Sequence, residues 1–295
     1  IERELDSDSL AHAMLLHGPD KVGKFSIMKR LAQLLQSDDM TLNNLSKSYR
    51  DIEEGKHLDT WVSEDDGEKI KIAEIRKIKE FLNLSRQDNY KIIILQNIER
   101  MTLAASNSFL KILEEPPANV IFLLTTSDLN AVLETITSRC RLYRAVLSSN
   151  EKLRETITEM GLTEDQYYID RSVSFAAGRV GKAYELLKDD EKFERFNEWY
   201  SLLDSFLKGV DRTELLKFSE DISALDKVLI SEFYWLFANF FRIKMLSSQS
   251  FEERQLFAEI LEKSHLAVQD IEANVNKRLV LDVLLLRSFS KFCSV

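Results

Sequence analysis

Apolar positions in the first half of the chain fall into short runs, each followed by a polar stretch with helical spacing. The runs are Ala13–His17, Asp59–Val62, Lys91–Leu95, Val120–Thr125 and Leu142–Val146. Runs this short predict buried strands, and the stretches near 24–36, 71–85, 102–114 and 129–137 carry the spacing of helices. Strand–helix alternation of this kind predicts a parallel α/β sheet. Glu114-Glu115-Pro116-Pro117 ends the third helix, because a residue before proline is pushed out of the α region. From about residue 148 the strand pattern stops. Segments 150–160, 164–176 and 180–188 predict three short helices punctuated by Gly161 and Gly178, and four or five longer helical patterns follow residue 190. The cluster Phe233, Tyr234, Trp235, Phe237, Phe240 and Phe241 reads as the core of that helical bundle, since aromatics dominate core burial. The expected domains are 1–147, 148–189 and 190–295.

Composition narrows the class. Three Pro and eight Gly in 295 residues leave long stretches without a helix breaker, which favours a helix-rich fold. With 44% hydrophobic and 30% charged residues the chain has the makeup of a soluble globular protein rather than a disordered one. Cys140 and Cys293 are too few for a disulfide scaffold or a multi-cysteine zinc site and suit a reducing cytoplasm. No apolar run approaches the ~18 residues of a spanning helix, so no membrane partner is expected. Ile1-Glu2-Arg3-Glu4 does not read as a secretion signal, although the absence of an initial Met leaves a lost leader open. Net charge is −9, with 20 basic against 23 acidic residues in 1–147 and 20 against 26 in 148–295. Autonomous DNA grip normally needs a basic surplus, so any nucleic-acid role is expected to be indirect.

The first run leads into Gly18-Pro19-Asp20-Lys21-Val22-Gly23-Lys24 and then a helical pattern. This matches the GxxxxGK part of a phosphate-binding loop, in which backbone N–H groups surround phosphate oxygens and Lys24 adds a point charge. A working loop continues with Ser or Thr to hold Mg²⁺; here Phe25 follows, and Ser26 is about 100° further round the helix. At the end of the strand Lys91–Leu95, where such an ATPase carries an acidic pair, stand Gln96 and Asn97, with Glu99 two residues further on. Neither amide is basic enough to activate water. Three metal- or water-directed groups are missing together, which argues against hydrolysis and leaves open whether the loop holds ATP or ADP.

Lys91–Thr102 together with Asn107-Ser108-Phe109-Leu110-Lys111-Ile112-Leu113-Glu114-Glu115-Pro116-Pro117 resembles the AAA+ clamp-loader subunits of the bacterial replicative DNA polymerase III. Leu10-Ala11-His12-Ala13, Gly55-Lys56-His57-Leu58-Asp59 and Ser138-Arg139-Cys140 add matches in the same order. The resemblance implies a RecA-like parallel sheet with a P-loop in 1–147, a small helical lid in 148–189 and an all-α collar for oligomerisation in 190–295. Within that family the gamma and tau motor subunits keep a complete ATPase site, whereas delta-prime subunits often have a degraded one and retain Ser-Arg-Cys. Phe25, Gln96 and Asn97 point to the delta-prime kind. The family's four-cysteine zinc module is expected to be metal-free here, since residues 37–57 contain no cysteine.

By the same resemblance, Arg139, between Ser138 and Cys140, is the arginine finger donated to ATP on a neighbouring motor subunit. Such fingers contribute ~10³–10⁵ in rate elsewhere. From spacing alone Arg139 would be a surface ion pair. Thr126 stands where the family has a polar γ-phosphate sensor, and Lys182, in Gly178-Arg179-Val180-Gly181-Lys182-Ala183, aligns with the lid's sensor arginine. Gly18, Gly23, Lys24, Phe25, Gln96 and Asn97 make up the degenerate nucleotide site, with no cofactor required. Expected partners are the gamma/tau motor subunits and the delta subunit, and through the complex the sliding clamp and primer-template DNA. The rival readings are an active gamma/tau-type ATPase, another P-loop enzyme such as a kinase, and a DNA-binding regulator.

Overall fold

The computed structural model describes residues 10–37, 47–273 and 275–290. The chain divides into two compact units: residues up to Ser148 with Arg179–Gly181, and Ser149–Gly178 with the residues from Lys182 onward. The lid and collar ranges expected from the sequence therefore lie, apart from that short segment and residue 148, in one unit.

The first unit holds β1 (Ala13–His17), α1 (Lys24–Leu35), α2 (Lys47–Glu53), β2 (Thr60–Ser63), α3 (Ile72–Leu82), β3 (Lys91–Leu95), α4 (Leu103–Glu114), β4 (Val120–Thr126), α5 (Glu134–Thr137) and β5 (Arg141–Arg144). All pairings are parallel, in the order β2-β3-β4-β1-β5. Side chains alternate between faces along each strand. Leu15, Ile93, Leu95, Phe122 and Leu124 enter one apolar cluster with α3, α4 and α5. Met14, Leu16, Ile92, Ile94 and Leu123 enter another with α1 and α2. Burial on both faces is why these strands read as continuous apolar runs. The register Leu15↔Leu124 and Leu95↔Leu124 brings the C-terminal ends of β1, β3 and β4 to one edge, where the loops that carry polar groups emerge.

Lys91 lies inside this packing, 3% exposed at the start of β3. Its Nζ donates to the Phe81 and Leu84 carbonyls at 2.6 Å each and sits 4.7 Å from the Phe81 ring. These carbonyls end α3 and the turn after it, so a cation completes the helix terminus that its dipole makes negative.

Two local departures have physical causes. The segment 129–137 forms a 3₁₀ turn at Leu129–Ala131 and then α5, separated by extended Val132 and Leu133, rather than one helix. The Asp128 side chain accepts from Asn130 N and starts the first turn, while Val132 and Ile136 are both buried. The second is α2, which the sequence pattern does not indicate, since Ile52 is its single buried residue. It is fastened to α1 by polar bonds: Gln33 Nε2 donates to Glu53 Oε2 (3.1 Å) and Tyr49 O (3.2 Å), and Lys29 Nζ donates to Glu53 O at 3.5 Å. This is the stretch expected to be a metal-free module; residues 38–46 of it lie outside the described residues, as does Cys293.

The second unit contains α6 (Asn150–Met160), α7 (Gln166–Ala176), α8 (Val180–Lys188) from Lys182 onward, α9 (Asp190–Phe206), α10 (Arg212–Ser223), α11 (Lys227–Ser247), α12 (Phe251–Glu272) and α13 (Lys277–Phe289). Their starts follow the capping rule, with Ser149, Asp165, Asp189, Asp211, Asp226, Ser250 and Asn276 each accepting a backbone N–H of the first turn. Phe233, Phe237, Phe240 and Phe241 are fully buried, as the aromatic cluster predicts. Phe206 and Phe289 pack edge to face at 5.5 Å, joining α9 to α13. Each buried ring contributes ~1.5–3 kcal/mol of transfer free energy. No helix of the described residues is long and apolar enough to cross a membrane.

Candidate functional site

The turn from β1 to α1 carries the phosphate-loop sequence. Gly18 has φ 145°, and a Cβ there would stand 2.3 Å from the Ala145 carbonyl oxygen beyond β5. Only glycine fits. Gly23, at φ 90°, opens α1. Lys24 is almost fully buried and bends back over the loop. Its Nζ donates to Gly18 O at 2.9 Å, Pro19 O at 2.8 Å and Ser127 Oγ at 3.1 Å. Burial pulls its ammonium below the ordinary lysine range; Asp20 and Glu99 oppose this, and the Arg179 charge reinforces it. The loop's cation is therefore held across the turn by the loop's own carbonyls.

Thr126 and Ser127 complete this edge. Gly18 N donates to Thr126 O at 3.3 Å, while Thr126 Oγ1 donates to Asp128 O at 2.9 Å and accepts from Asp128 N at 3.2 Å. Ser127, which the sequence reading did not select, contacts Lys24 through its hydroxyl and donates its N–H to Glu99 Oε1 at 2.8 Å. Glu99 Oε2 is buried without a hydrogen-bond partner among the described residues. The order Lys24–Ser127–Glu99 thus ties the phosphate loop to the ends of β4 and β3.

Phe25 packs against the apolar cluster on the α1 face, with Lys29 Nζ 5.1 Å from its ring, and Ser26 is exposed. Gln96 and Asn97 are both engaged by one acid from the loop after β2. Gln96 Oε1 accepts from Asp65 N at 3.0 Å, and Asn97 Nδ2 donates to Asp65 Oδ2 at 2.6 Å. Arg100 closes the group, with Nε 3.3 Å from Asp65 Oδ2 and Nη1 donating to Gly67 O at 2.6 Å. Asn97 takes a left-handed conformation, φ 51°, and its N–H donates to Thr125 Oγ1 at 3.1 Å. Asp65 sits in the polar run Glu64-Asp65-Asp66-Gly67, which resembles any turn, so nothing in the sequence marked it.

These residues do not fit Mg²⁺. The position after Lys24 offers no oxygen, the two strand-end groups are neutral amides, and Asp65 is already paired with Arg100 and Asn97. Among the described residues no three His, Cys, Asp or Glu side chains gather as a metal site.

Lys182 belongs to the helical unit and is buried there, with its Nζ 3.6 Å from Glu232 Oε1 and 4.7 Å from the Phe196 ring. Lys192 and Arg195 converge on the same carboxylate at 2.5 and 3.5 Å. The segment that reaches the phosphate loop is Arg179–Gly181: Gly181 N donates to Lys21 O at 2.8 Å, and the charge of Arg179 is felt at Lys24. Charge type alone could not separate Arg179 from Lys182 in the sequence.

Arg139 lies apart from this group, just after the short helix α5, and is exposed. One guanidinium nitrogen, Nη2, donates to Glu114 Oε1 at 2.8 Å, and Nη1 donates to Thr135 O at 3.0 Å. Ser138 Oγ donates to Thr135 O at 3.1 Å and is exposed too. Cys140 packs against the apolar cluster of the α4 face, where burial pushes its thiol up to about 12. A thiol so protonated is a packing group rather than a nucleophile.

Residues 1–146 match the family described as DNA polymerase III, delta subunit. The chain is 28% identical over 196 residues to the DNA polymerase III subunit gamma of Buchnera aphidicola subsp. Acyrthosiphon pisum, covering 64% of this chain and 54% of that protein. It is 28% identical over 195 residues to the DNA polymerase III subunit delta' of Bacillus subtilis, covering 65% and 58%. The match thus spans little more than half the length of these relatives. Among solved structures, a gamma subunit-related protein of Thermotoga maritima superposes with a TM-score of 0.52 at 20% identity, over 98% of each chain. That likeness is one of fold: an α/β P-loop domain followed by an all-α region.

Proposed function

Residues 1–146 are a module of the clamp-loader AAA+ family of DNA polymerase III, and from that premise we propose that this chain is a delta-prime-like, non-hydrolysing arm of a clamp loader. In this role it lends Arg139 to ATP on an adjacent gamma/tau motor subunit. Its other partners are the delta subunit and, through the complex, the sliding clamp and primer-template DNA. Any ATP or ADP at the remnant loop is a structural ligand here and not a fuel.

The observation that carries the reading is the bonding of Gln96 and Asn97 to Asp65. At the strand end where hydrolysis needs one carboxylate for a metal and one for water, two amides are used up in an internal contact. Phe25 agrees, since it offers no ligand to Mg²⁺. Arg139 is suited to such a role: it is exposed, its terminal nitrogens are oriented by Glu114 Oε1 and Thr135 O, and a guanidinium matches phosphate charge better than an ammonium does.

The resemblance to gamma subunits favours a second reading, a divergent motor with its own turnover. One pair of measurements separates the two. The purified chain should show no Mg²⁺-dependent ATP hydrolysis that Lys24→Ala abolishes. In a complex reconstituted with gamma/tau and delta, Arg139→Ala should slow turnover at the site it serves by about 10³-fold or more, while the fold, read by circular dichroism, is unchanged. Lys24-dependent hydrolysis by the chain alone would establish the motor reading instead.

A further inference from the structure

The contact between Arg139 and Glu114 joins two sequence motifs that nothing so far has connected. Glu114 is the last residue of α4 and the first acid of Glu-Glu-Pro-Pro; Arg139 follows α5, 25 positions later. Both side chains are partly open to solvent, 37% for Arg139 and 43% for Glu114. The carboxylate meets Nη2, and the Thr135 carbonyl meets Nη1. The prolines after Glu115 fix where α4 stops, and hence where this carboxylate can reach. A guanidinium held this way has a defined direction but already carries an anion.

We propose that Glu114 is a positioning residue that occupies the Arg139 guanidinium as a stand-in anion and is exchanged for a triphosphate when a neighbouring nucleotide site docks. The inference rests on the trans-acting role of Arg139 argued above. Its physical basis is competition. A phosphate approaching Nη2 meets the Glu114 charge, so the carboxylate must release or share the guanidinium before the phosphate is bound. Because the pair is exposed, its hold is modest, which lets a polyanion displace it. Glu114 thereby sets a threshold for engagement.

The test uses the reconstituted complex with gamma/tau and delta, and ATP as the probe. Glu114→Gln keeps the shape and removes the charge. The KM for ATP should fall by about 1.5- to 5-fold, the factor an exposed ion pair carries, with the change on KM rather than kcat. Glu114→Asp, which keeps the charge on a shorter arm, should lie between Gln and the parent. The double variant Glu114→Gln/Arg139→Ala should have the KM of Arg139→Ala alone. An unchanged or raised KM for Glu114→Gln overturns the proposal, as does a fall in KM that persists when Arg139 is absent, since the acid would then act elsewhere. If Arg139→Ala itself leaves turnover unaltered, it is the trans-acting role that fails, and the two failures are told apart by that single control.

Discussion

Replacing Asn97 by Asp places a carboxylate at the strand end where a hydrolysing AAA+ site has one, and the structure predicts that the change destabilises the protein. Asn97 Nδ2 donates to Asp65 Oδ2 at 2.6 Å. In Asn97→Asp the donor becomes an acceptor, and two carboxylates face each other at about that separation. At an effective dielectric of ~20, a pair of unit charges 2.6 Å apart repels by about 6 kcal/mol. Arg100, 3.3 Å from the same oxygen, offsets part of this, and small side-chain movements relieve more. A net cost of about 2–4 kcal/mol at pH 7 remains, including the lost hydrogen bond. The sign with pH is opposite to that of a salt-bridged acid. The crowded pair takes up a proton more readily when folded than when unfolded, so the penalty is largest at neutral pH and shrinks as pH falls toward 4–5. Urea denaturation of both proteins at pH 7 and pH 5 measures the difference directly. A variant within about 0.5 kcal/mol of the parent at both values would refute the reasoning, because Asp65 would then not be committed to Asn97.

Three further outcomes follow from single contacts. Gly18→Ala should cost at least ~2–3 kcal/mol, because its Cβ would stand 2.3 Å from the Ala145 carbonyl oxygen at φ 145°; an unaltered thermal midpoint would contradict this. Lys91→Met should cost about 2–4 kcal/mol in urea, since it strands the Phe81 and Leu84 carbonyls that end α3 and its turn, and a loss below ~1 kcal/mol would mean that water replaces the ammonium. His57 is held below the ordinary imidazole range by burial, which outweighs the opposing charges of Asp88, Asp59 and Asp51, and its Nδ1 accepts from Asp59 N at 3.3 Å. The fold favours the neutral ring, so its contribution is complete above about pH 6.5 and is lost as pH falls below that value. His57→Gln should flatten the pH dependence of the urea midpoint in that window, and an identical slope would discount the histidine.

What could be read from the sequence was whatever depends on neighbours in the chain. β1 and β3 match the apolar runs Ala13–His17 and Lys91–Leu95, because central parallel strands are buried on both faces and need no partner information to be seen. The glycines and Lys24 of the phosphate loop were legible for the same reason, and so was the lack of a hydroxyl at Phe25. Contacts between distant segments were not. Asp65 lies 32 positions from Asn97, and Glu114 lies 25 from Arg139; each acid stands in a stretch whose local reading is a turn or a helix end. Lys182 and Arg179 differ by one helical turn at most, yet the first faces Glu232 and the second acts on Lys24. α2 escaped notice because an amphipathic period needs more than one buried position, and its attachment to α1 is polar.

These distant contacts engage the residues of the phosphate-loop edge within the protein itself. The ring of Phe25 lies on the apolar cluster beneath α1, the amides at 96 and 97 grip the loop after β2, and Lys24 spans Gly18, Pro19 and Ser127. Buried polar groups are costly when left unpaired, so a substitution at this edge must still satisfy the partners it addresses. Asp65, held by Asn97 and Arg100, is one such partner. A carboxylate placed at 97 therefore breaks a satisfied contact, as the repulsion calculated for Asn97→Asp illustrates. The outer face of the same sheet domain is under no such constraint. There Arg139 is held by one exposed carboxylate and one carbonyl, which a competing anion can displace. An exposed guanidinium under so light a hold, on the same sheet domain as an edge whose amides are already bonded, is the arrangement that the proposed trans-acting role calls for.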